Sequence, residues 1–247
     1  VITSDLTLDG FAVVPDVVED HQVREWICLT ETMLVCCEER GGVRNLLDFA
    51  EMRRLADSAA LLDLVKPILG DHARVVRGIL FDKTDGANWK VPWHQDKTIA
   101  VANRVELDGF GPWSVKAGVL HVQPPAAILE QMVSVRLHLD DCPATNGALR
   151  VIPGTHTGGK LTSSVISALT RAEKSTVCAI DAGGVVLMRP LLLHASSAAV
   201  IPGHRRVLHF DYAAAELPCG LRWAVEDRSG TDILVDCGGA ATSEAQR

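Results

Sequence analysis

The sequence reads as a mainly β protein with flanking helices, a jelly roll or barrel carrying its N-terminal helices on the outside. Two patterns point there. The last two-thirds of the chain is a series of short β-rich runs separated by turn residues, whereas the first third shows helical spacing. Length is the third observation. All-β folds of 247 residues are commonly one domain, so 1-247 is read as a single domain, mainly helical over 1-72 with the β core over 73-215.

The opening GFAVVPDVV predicts a short strand running into a helix, with Asp16 as N-cap and Glu19 completing a capping box. Val23, Trp26, Ile27, Met33 and Leu34 then recur at helical spacing, and Gly41-Gly42 ends the pattern. DFAEMRRLAD and SAALLDLVKPILG predict two shorter helices, the second closing at Pro67 and Gly70. The β texture follows in ARVVRGILFD, VPWHQDKTIAV, GVLHVQ, MVSVRLHLDD, ALRVIPG, TVCAID, GVVLMRPLLLHAS and RRVLHFDYAAA. Asp85-Gly86, Pro124-Pro125, Asn146-Gly147 and Gly183-Gly184 supply turns between them. LTSSVISALTRAEKS has helical character and is expected to cover a sheet edge.

Composition narrows the function. Hydrophobic residues make up 47% and charged residues 22%, ordinary for a globular protein, and 24 Lys plus Arg against 31 Asp plus Glu give a net charge of −7. That balance argues against a general nucleic-acid binder and for action on small molecules. No apolar run approaches a membrane span and the first residues lack a signal pattern, so no membrane association and a cytoplasmic location are the expectations. The seven cysteines show no C-x-x-C spacing and read as reduced, mostly structural thiols.

Chemistry enters with three His-x-Asp triplets: His94-Gln95-Asp96, His138-Leu139-Asp140 and His209-Phe210-Asp211. On an extended chain residues two apart share a face, so each triplet can grip one metal ion, and each equally reads as a polar pair on a strand. Spacing alone does not choose among them. His194, at the end of the apolar run GGVVLMRPLLL, is a candidate third ligand or a hydrogen-bonded core histidine. Arg205, eleven residues on, is a candidate carboxylate fork or a barrel-mouth salt bridge.

Four segments in order, His94-Gln95-Asp96, NGALRVIPGTH, RPLLLHASS and Arg205, together span roughly 110 residues. In that combination the chain resembles the phytanoyl-CoA hydroxylase (phytanoyl-CoA dioxygenase) family of non-haem Fe(II), 2-oxoglutarate-dependent dioxygenases. The resemblance implies a double-stranded β-helix core, cupin-like, and iron held by His94, Asp96 and His194. It implies 2-oxoglutarate and O₂ as co-substrates, with ascorbate a possible reductant, and hydroxylation of an unactivated C–H bond with release of succinate and CO₂. Arg205, assisted by Ser196, is implied to take the distal carboxylate of 2-oxoglutarate. Relatives that halogenate carry a small residue where Asp96 stands, so the carboxylate implies hydroxylation or a related oxidation.

In MVSVRLHLDD, Ser134, Arg136 and His138 alternate with Val135, Leu137 and Leu139. The resemblance turns that polar face inward, making Arg136 a co-substrate residue and His138 a pocket residue or a structural one. His209 and Asp211 then form a polar wall, and both remaining triplets are expected to be metal-free. Segment 103-125 is the natural place for a lid or substrate loop; Trp113 and Lys116 there, and Lys83 near the pocket mouth, are candidate substrate contacts or plain surface and packing residues. With Tyr and Phe scarce and no basic tract, the expected substrate is a small polar or amino-acid-like metabolite, not a CoA ester. Two rivals stand beside this reading: a cupin-like metalloenzyme that ignores 2-oxoglutarate, and a non-catalytic jelly-roll binding module.

Overall fold

The computed structural model describes residues 2–37, 41–201, 203–227 and 233. Cys237 and the side chains of Cys36 and Cys37 lie outside what is described. Helix α1 (Ile2–Leu8) leads into β1 (Phe11–Val14), and α2 (Asp20–Cys37) into the short β2 (Gly42–Val43). A 3-10 turn at Leu46–Asp48, α3 (Ala50–Ala56) and α4 (Ala59–Leu69) complete the helical part. Then come β3 (Arg74–Lys83), β4 (Val91–His94), β5 (Ile99–Val101), β6 (Trp113–Lys116), β7 (Val119–Val122), α5 (Ala126–Leu129) and β8 (Met132–His138). The chain continues through β9 (Leu149–Ile152), α6 (Ser163–Ala172), β10 (Thr176–Cys178), β11 (Val185–Met188), β12 (Leu193–Ser196), β13 (Arg205–Ala213) and α7 (Ala224–Asp227).

These strands pair antiparallel into three sheets. The large one runs β1-β11-β8-β13-β3-β2, the second β10-β9-β12-β4, and a small one β5-β7-β6. This is the jelly-roll arrangement the alternating runs predict, and it is mainly β. Side-chain alternation assigns the two faces of the large sheet. Val133, Val135 and Leu137 of β8 and Leu208, Phe210 and Tyr212 of β13 are fully buried on the outer face, packed with Leu6, Met33, Met52, Leu61 and Val65 from α1 to α4. An apolar outer face is what binds the helices there. The other face carries Ser134, Arg136, His138, His209 and Asp211, and it looks toward the second sheet.

Local chemistry explains where elements differ from the sequence expectation. Helix α2 starts at Asp20, not Asp16, which sits at φ 53 in a turn whose Val17 and Val18 amides donate to the Gly183 carbonyl. The cap moves to Glu19, whose carbonyl accepts the Val23 amide and whose own amide donates to Gln22 Oε1 at 3.1 Å. Pro67 lies inside α4, in its last turn, and Gly70 alone ends the helix at φ 82. VPWHQDKTIAV is two strands, interrupted where the Asp96 amide turns to donate to the Pro190 carbonyl. Segment 103-125, expected as a lid or substrate loop, holds β6 as well as the expected strand β7, both joined to β5 in the small sheet. Helix α6 packs beside β4, the edge strand of the second sheet, as expected of an edge cover. No helix among the described residues is long and apolar enough to cross a membrane.

Candidate metal centre

Strand β4 pairs with β12 so that His94 and His194 are direct cross-strand partners, and Asp96 follows two residues beyond His94. One ligand-type atom from each of these three residues lies within 4.8 Å of the others, the only such group among the described residues. His94 Nε2 is 3.7 Å from Asp96 Oδ1, and His194 Nε2 is 3.6 Å from Asp96 Oδ2. Each imidazole is turned by its own chain. His94 Nδ1 donates to the Pro92 carbonyl at 2.9 Å and His194 Nδ1 to the Leu192 carbonyl at 2.8 Å. A carbonyl can only accept, so both Nε2 atoms present lone pairs to the space beside Asp96.

The protonation states suit a divalent cation. Burial holds His194 neutral, its pKa lowered to about 4 against the opposing pull of Asp96. Burial would raise Asp96, yet its electrostatic attraction to the His194, His209 and His94 imidazoles outweighs this and holds the carboxyl below its usual range. Gln95, between the ligands, points away and is 5% exposed. Its Nε2 donates to the carbonyls of Leu191 at 2.6 Å and Gly159 at 2.8 Å, and its Oε1 accepts the Leu161 amide at 2.8 Å. Together with the Asp96 amide on Pro190, these bonds fasten the ligand segment to two neighbouring loops.

The three ligands open into a cavity of about 340 Å³ between the large and second sheets, with Arg136, Ser196 and Arg205 on its walls. Arg205 is buried; its NH1 donates to the Gly147 carbonyl and to Ser196 Oγ at 3.1 Å. Lys83, the cross-strand partner of Arg205, is buried under the cavity, with Nζ donating to Ser196 Oγ at 2.8 Å and to the Ser197 carbonyl at 2.6 Å. Burial, with the charges of Arg205 and Arg136, lowers the Lys83 pKa to about 8, and burial and Arg205 lower that of Arg136 to about 10. Among the described residues, Arg205 Nε, Arg136 Nε and both ring nitrogens of His138 are buried without a hydrogen-bond partner. Burial followed by the charges of Arg136 and Arg205 drives the His138 pKa well down. Buried cations with open donors are the chemistry of a dianion site, so the residues present fit both a divalent metal and a dicarboxylate beside it.

The other two triplets hold no such arrangement. His209 Nδ1 accepts from Arg136 NH1 at 2.9 Å, so Nε2 carries the proton and donates to Asp211 Oδ1 at 3.0 Å, where Ser134 Oγ also donates at 2.6 Å. Both ring nitrogens are thereby committed. Asp140 is turned from His138 by Arg206, whose Nε and NH2 reach its two oxygens at 3.0 and 2.8 Å. Of the expected substrate contacts, Lys116 lines the cavity, its Nζ donating to Thr98 Oγ1 at 3.0 Å. Trp113 does not; its ring packs into the apolar cluster of Val122, Leu129 and Trp223. Lys83 and His138 lie behind the cavity wall rather than at its mouth. Arg44, Arg77, Phe81 and Trp89 also line the cavity, which sequence reading missed. For Arg77 and Phe81 a signal existed: counting back in twos along β3 from Lys83 reaches both.

A sequence model of the phytanoyl-CoA dioxygenase family matches residues 6–207. No curated protein matches the chain in sequence. Among solved structures, the non-haem α-ketoglutarate-dependent epimerase SnoN of nogalamycin biosynthesis aligns with TM-score 0.64 and 17% identity, over 86% of this chain and 79% of that one. AviO1 from Streptomyces viridochromogenes aligns at 0.62 with 20% identity, over 88% and 96%. HygX from Streptomyces hygroscopicus, solved with nickel and 2-oxoglutarate bound, aligns at 0.61 with 18% identity, over 84% of each chain. The family model spans most of the chain, β1 to β12 and the candidate metal centre included, and the chain belongs to the phytanoyl-CoA dioxygenase family.

Proposed function

We propose that the chain is an Fe(II)- and 2-oxoglutarate-dependent oxygenase that hydroxylates an unactivated C–H bond of a small metabolite. One observation carries the reading: the His94, Asp96 and His194 donors and the buried Arg205–Ser196 pair, backed by Lys83, open into the same cavity. Iron bound there supplies, with 2-oxoglutarate and O₂, the power to replace C–H by C–OH while 2-oxoglutarate leaves as succinate and CO₂, ascorbate serving to keep the metal ferrous.

The protein's own part is positioning. Arg205 pairs with the distal carboxylate of 2-oxoglutarate, and Ser196 assists by holding the guanidinium: its oxygen accepts from Arg205 and Lys83 while its hydroxyl donates to the Gly147 carbonyl. Arg136, at the middle of the cavity, faces the co-substrate on the metal side. Asp96 fills with a carboxylate the position at which a halide would otherwise bind. A cupin-like enzyme that ignores 2-oxoglutarate would have no use for Arg205, and the 2-oxoglutarate bound in HygX supports the co-substrate assignment.

The test is spectroscopic. Iron-loaded protein under anaerobic conditions gains a visible charge-transfer band on addition of 2-oxoglutarate, and His94→Ala or Asp96→Ala loses it. Folded, iron-loaded protein that binds no 2-oxoglutarate refutes the proposal. A metabolite screen for stimulated succinate release then finds the substrate; a product heavier by one oxygen atom identifies hydroxylation, and an unchanged mass identifies an isomerising outcome.

A further inference from the structure

The charge inside the cavity exceeds what 2-oxoglutarate can use. Among the described residues, its lining holds the cations Arg44, Arg77, Lys116, Arg136 and Arg205 against Asp96 as the one carboxylate. With a metal on Asp96 and a dicarboxylate bound, the space is still cationic, and like charges gathered in a half-buried site repel unless an anion joins them.

These cations fall into two groups. On β3 the inward-facing residues run Arg77, Ile79, Phe81, Lys83, and the register sets Lys83 against Arg205 but Arg77 against Asp211. Six residues of strand separate the groups, about 20 Å. A five-carbon diacid anchored on Arg205 does not reach Arg77. Arg136 and His209, cross-strand partners beside Asp96, mark the middle. Metal chemistry therefore sits between two cationic ends, only one of which the co-substrate occupies.

The second end is assembled from separate parts of the chain. Asn45 Nδ2 donates to the Ala117 carbonyl at 3.1 Å, tying the loop after β2 to the β6–β7 turn and bringing the adjacent Arg44 and Lys116 together. Arg77 NH1 lies 3.8 Å from Asp211 Oδ2, while Oδ1 of that carboxylate is taken by Ser134 and His209. Burial and then the charge of Arg77 lower the Lys116 pKa, with Arg44 adding and Asp96 opposing.

Resting on the reading of the preceding section, we infer that the substrate is an anionic small metabolite, its carboxylate or phosphate held by Arg77, Lys116 and Arg44. Its hydrocarbon lies along Ile79 and Phe81 toward the metal. The anion fixes which C–H bond faces the iron, since a guanidinium and an ammonium on separate elements hold it at two points.

The experiment uses iron-loaded protein with 2-oxoglutarate, whose charge-transfer band is recorded first; a missing band overturns the oxygenase reading itself. A panel of small carboxylic acids, phosphate monoesters, and the methyl esters and alcohols matching them is then added. Acids or phosphates should shift the band and stimulate succinate release, the neutral counterparts should not, and the responding arm tells carboxylate from phosphate. Lys116→Gln should raise the half-saturating concentration of the responding anion about tenfold or more, with 2-oxoglutarate affinity unchanged; Arg44→Gln, at an exposed position, gives the same test should Lys116→Gln misfold. The inference is overturned if neutral counterparts respond as well, if no acid or phosphate responds, or if both variants leave half-saturation unchanged.

Discussion

Gln95→Leu keeps the volume of a buried side chain and removes its hydrogen bonds. Three partners are left behind: the Leu191 and Gly159 carbonyls and the Leu161 amide, at 2.6, 2.8 and 2.8 Å. The Leu191 bond is fully buried, so its carbonyl stays unpaired, while the two on the Gly159–Leu161 side are part-buried and open to replacement by water. Taking about 1–3 kcal/mol for the buried partner and about 1 kcal/mol for each of the others gives a loss of about 3–5 kcal/mol. In a chain of this size that corresponds to a fall in melting temperature of roughly 6–20 °C. Because the same bonds fasten the segment carrying His94 and Asp96, iron affinity should fall about 10–100-fold, the usual effect of losing a group that orients metal ligands. Thermal unfolding of the apo protein and iron titration measure the two effects separately. A melting temperature within 2 °C of the wild type together with unchanged iron affinity refutes the bracing role.

Arg205→Leu should weaken 2-oxoglutarate binding by about 2–5 kcal/mol, since a desolvated charge pair is lost, while iron affinity holds; equal 2-oxoglutarate affinity rejects the assignment. Gly147→Ala places a Cβ 2.6 Å from the Ser197 carbonyl at φ 62, and the required shift moves the carbonyl on which Arg205 and Ser196 both rest. It should cost more than about 1 kcal/mol and loosen 2-oxoglutarate binding, and wild-type values for both would refute the contact. Burial would raise the Asp211 carboxyl, but the electrostatic pull and hydrogen bond of the His209 N–H, with Arg77 and Ser134, overcome this and hold it well below the usual range. Its stabilising contribution is therefore full above the unfolded value of about 4 and declines as pH falls below it, because the unfolded chain takes up the proton first. Asp211→Asn should flatten the acid limb of a stability-against-pH curve; an unchanged limb counts against it.

Where one face of a strand is polar and the other apolar, the sequence disclosed both the strand and its orientation. MVSVRLHLDD is the clearest instance: Ser134, Arg136 and His138 face the second sheet while Val135 and Leu137 meet the helices. Helix α1 was not legible because ITSDLTL buries Leu6 alone and carries no apolar stripe. β6 was missed as well, since its four residues alternate weakly. The choice among His-x-Asp triplets could not come from spacing, because what separates them is tertiary. Arg136 occupies His209, Arg206 occupies Asp140, and only His94 meets another histidine across a strand pair. Arg44 joins the cavity through a hydrogen bond between residues 72 apart, a contact that no local pattern announces.

The pairing of His94 with His194 makes β4 the outermost strand of its sheet, and the ladder slips between His194 and Ser196. An edge strand interrupted by a bulge is where a sheet opens most easily. A metal held jointly by His94 of β4 and His194 of β12 would close that seam from the side, so its binding would also stabilise the strand pair. Hydrogen exchange at the amides of β4 should slow on iron binding while that of β8, in the middle of the large sheet, stays as it was. The iron would then serve as a rivet for the scaffold that presents it.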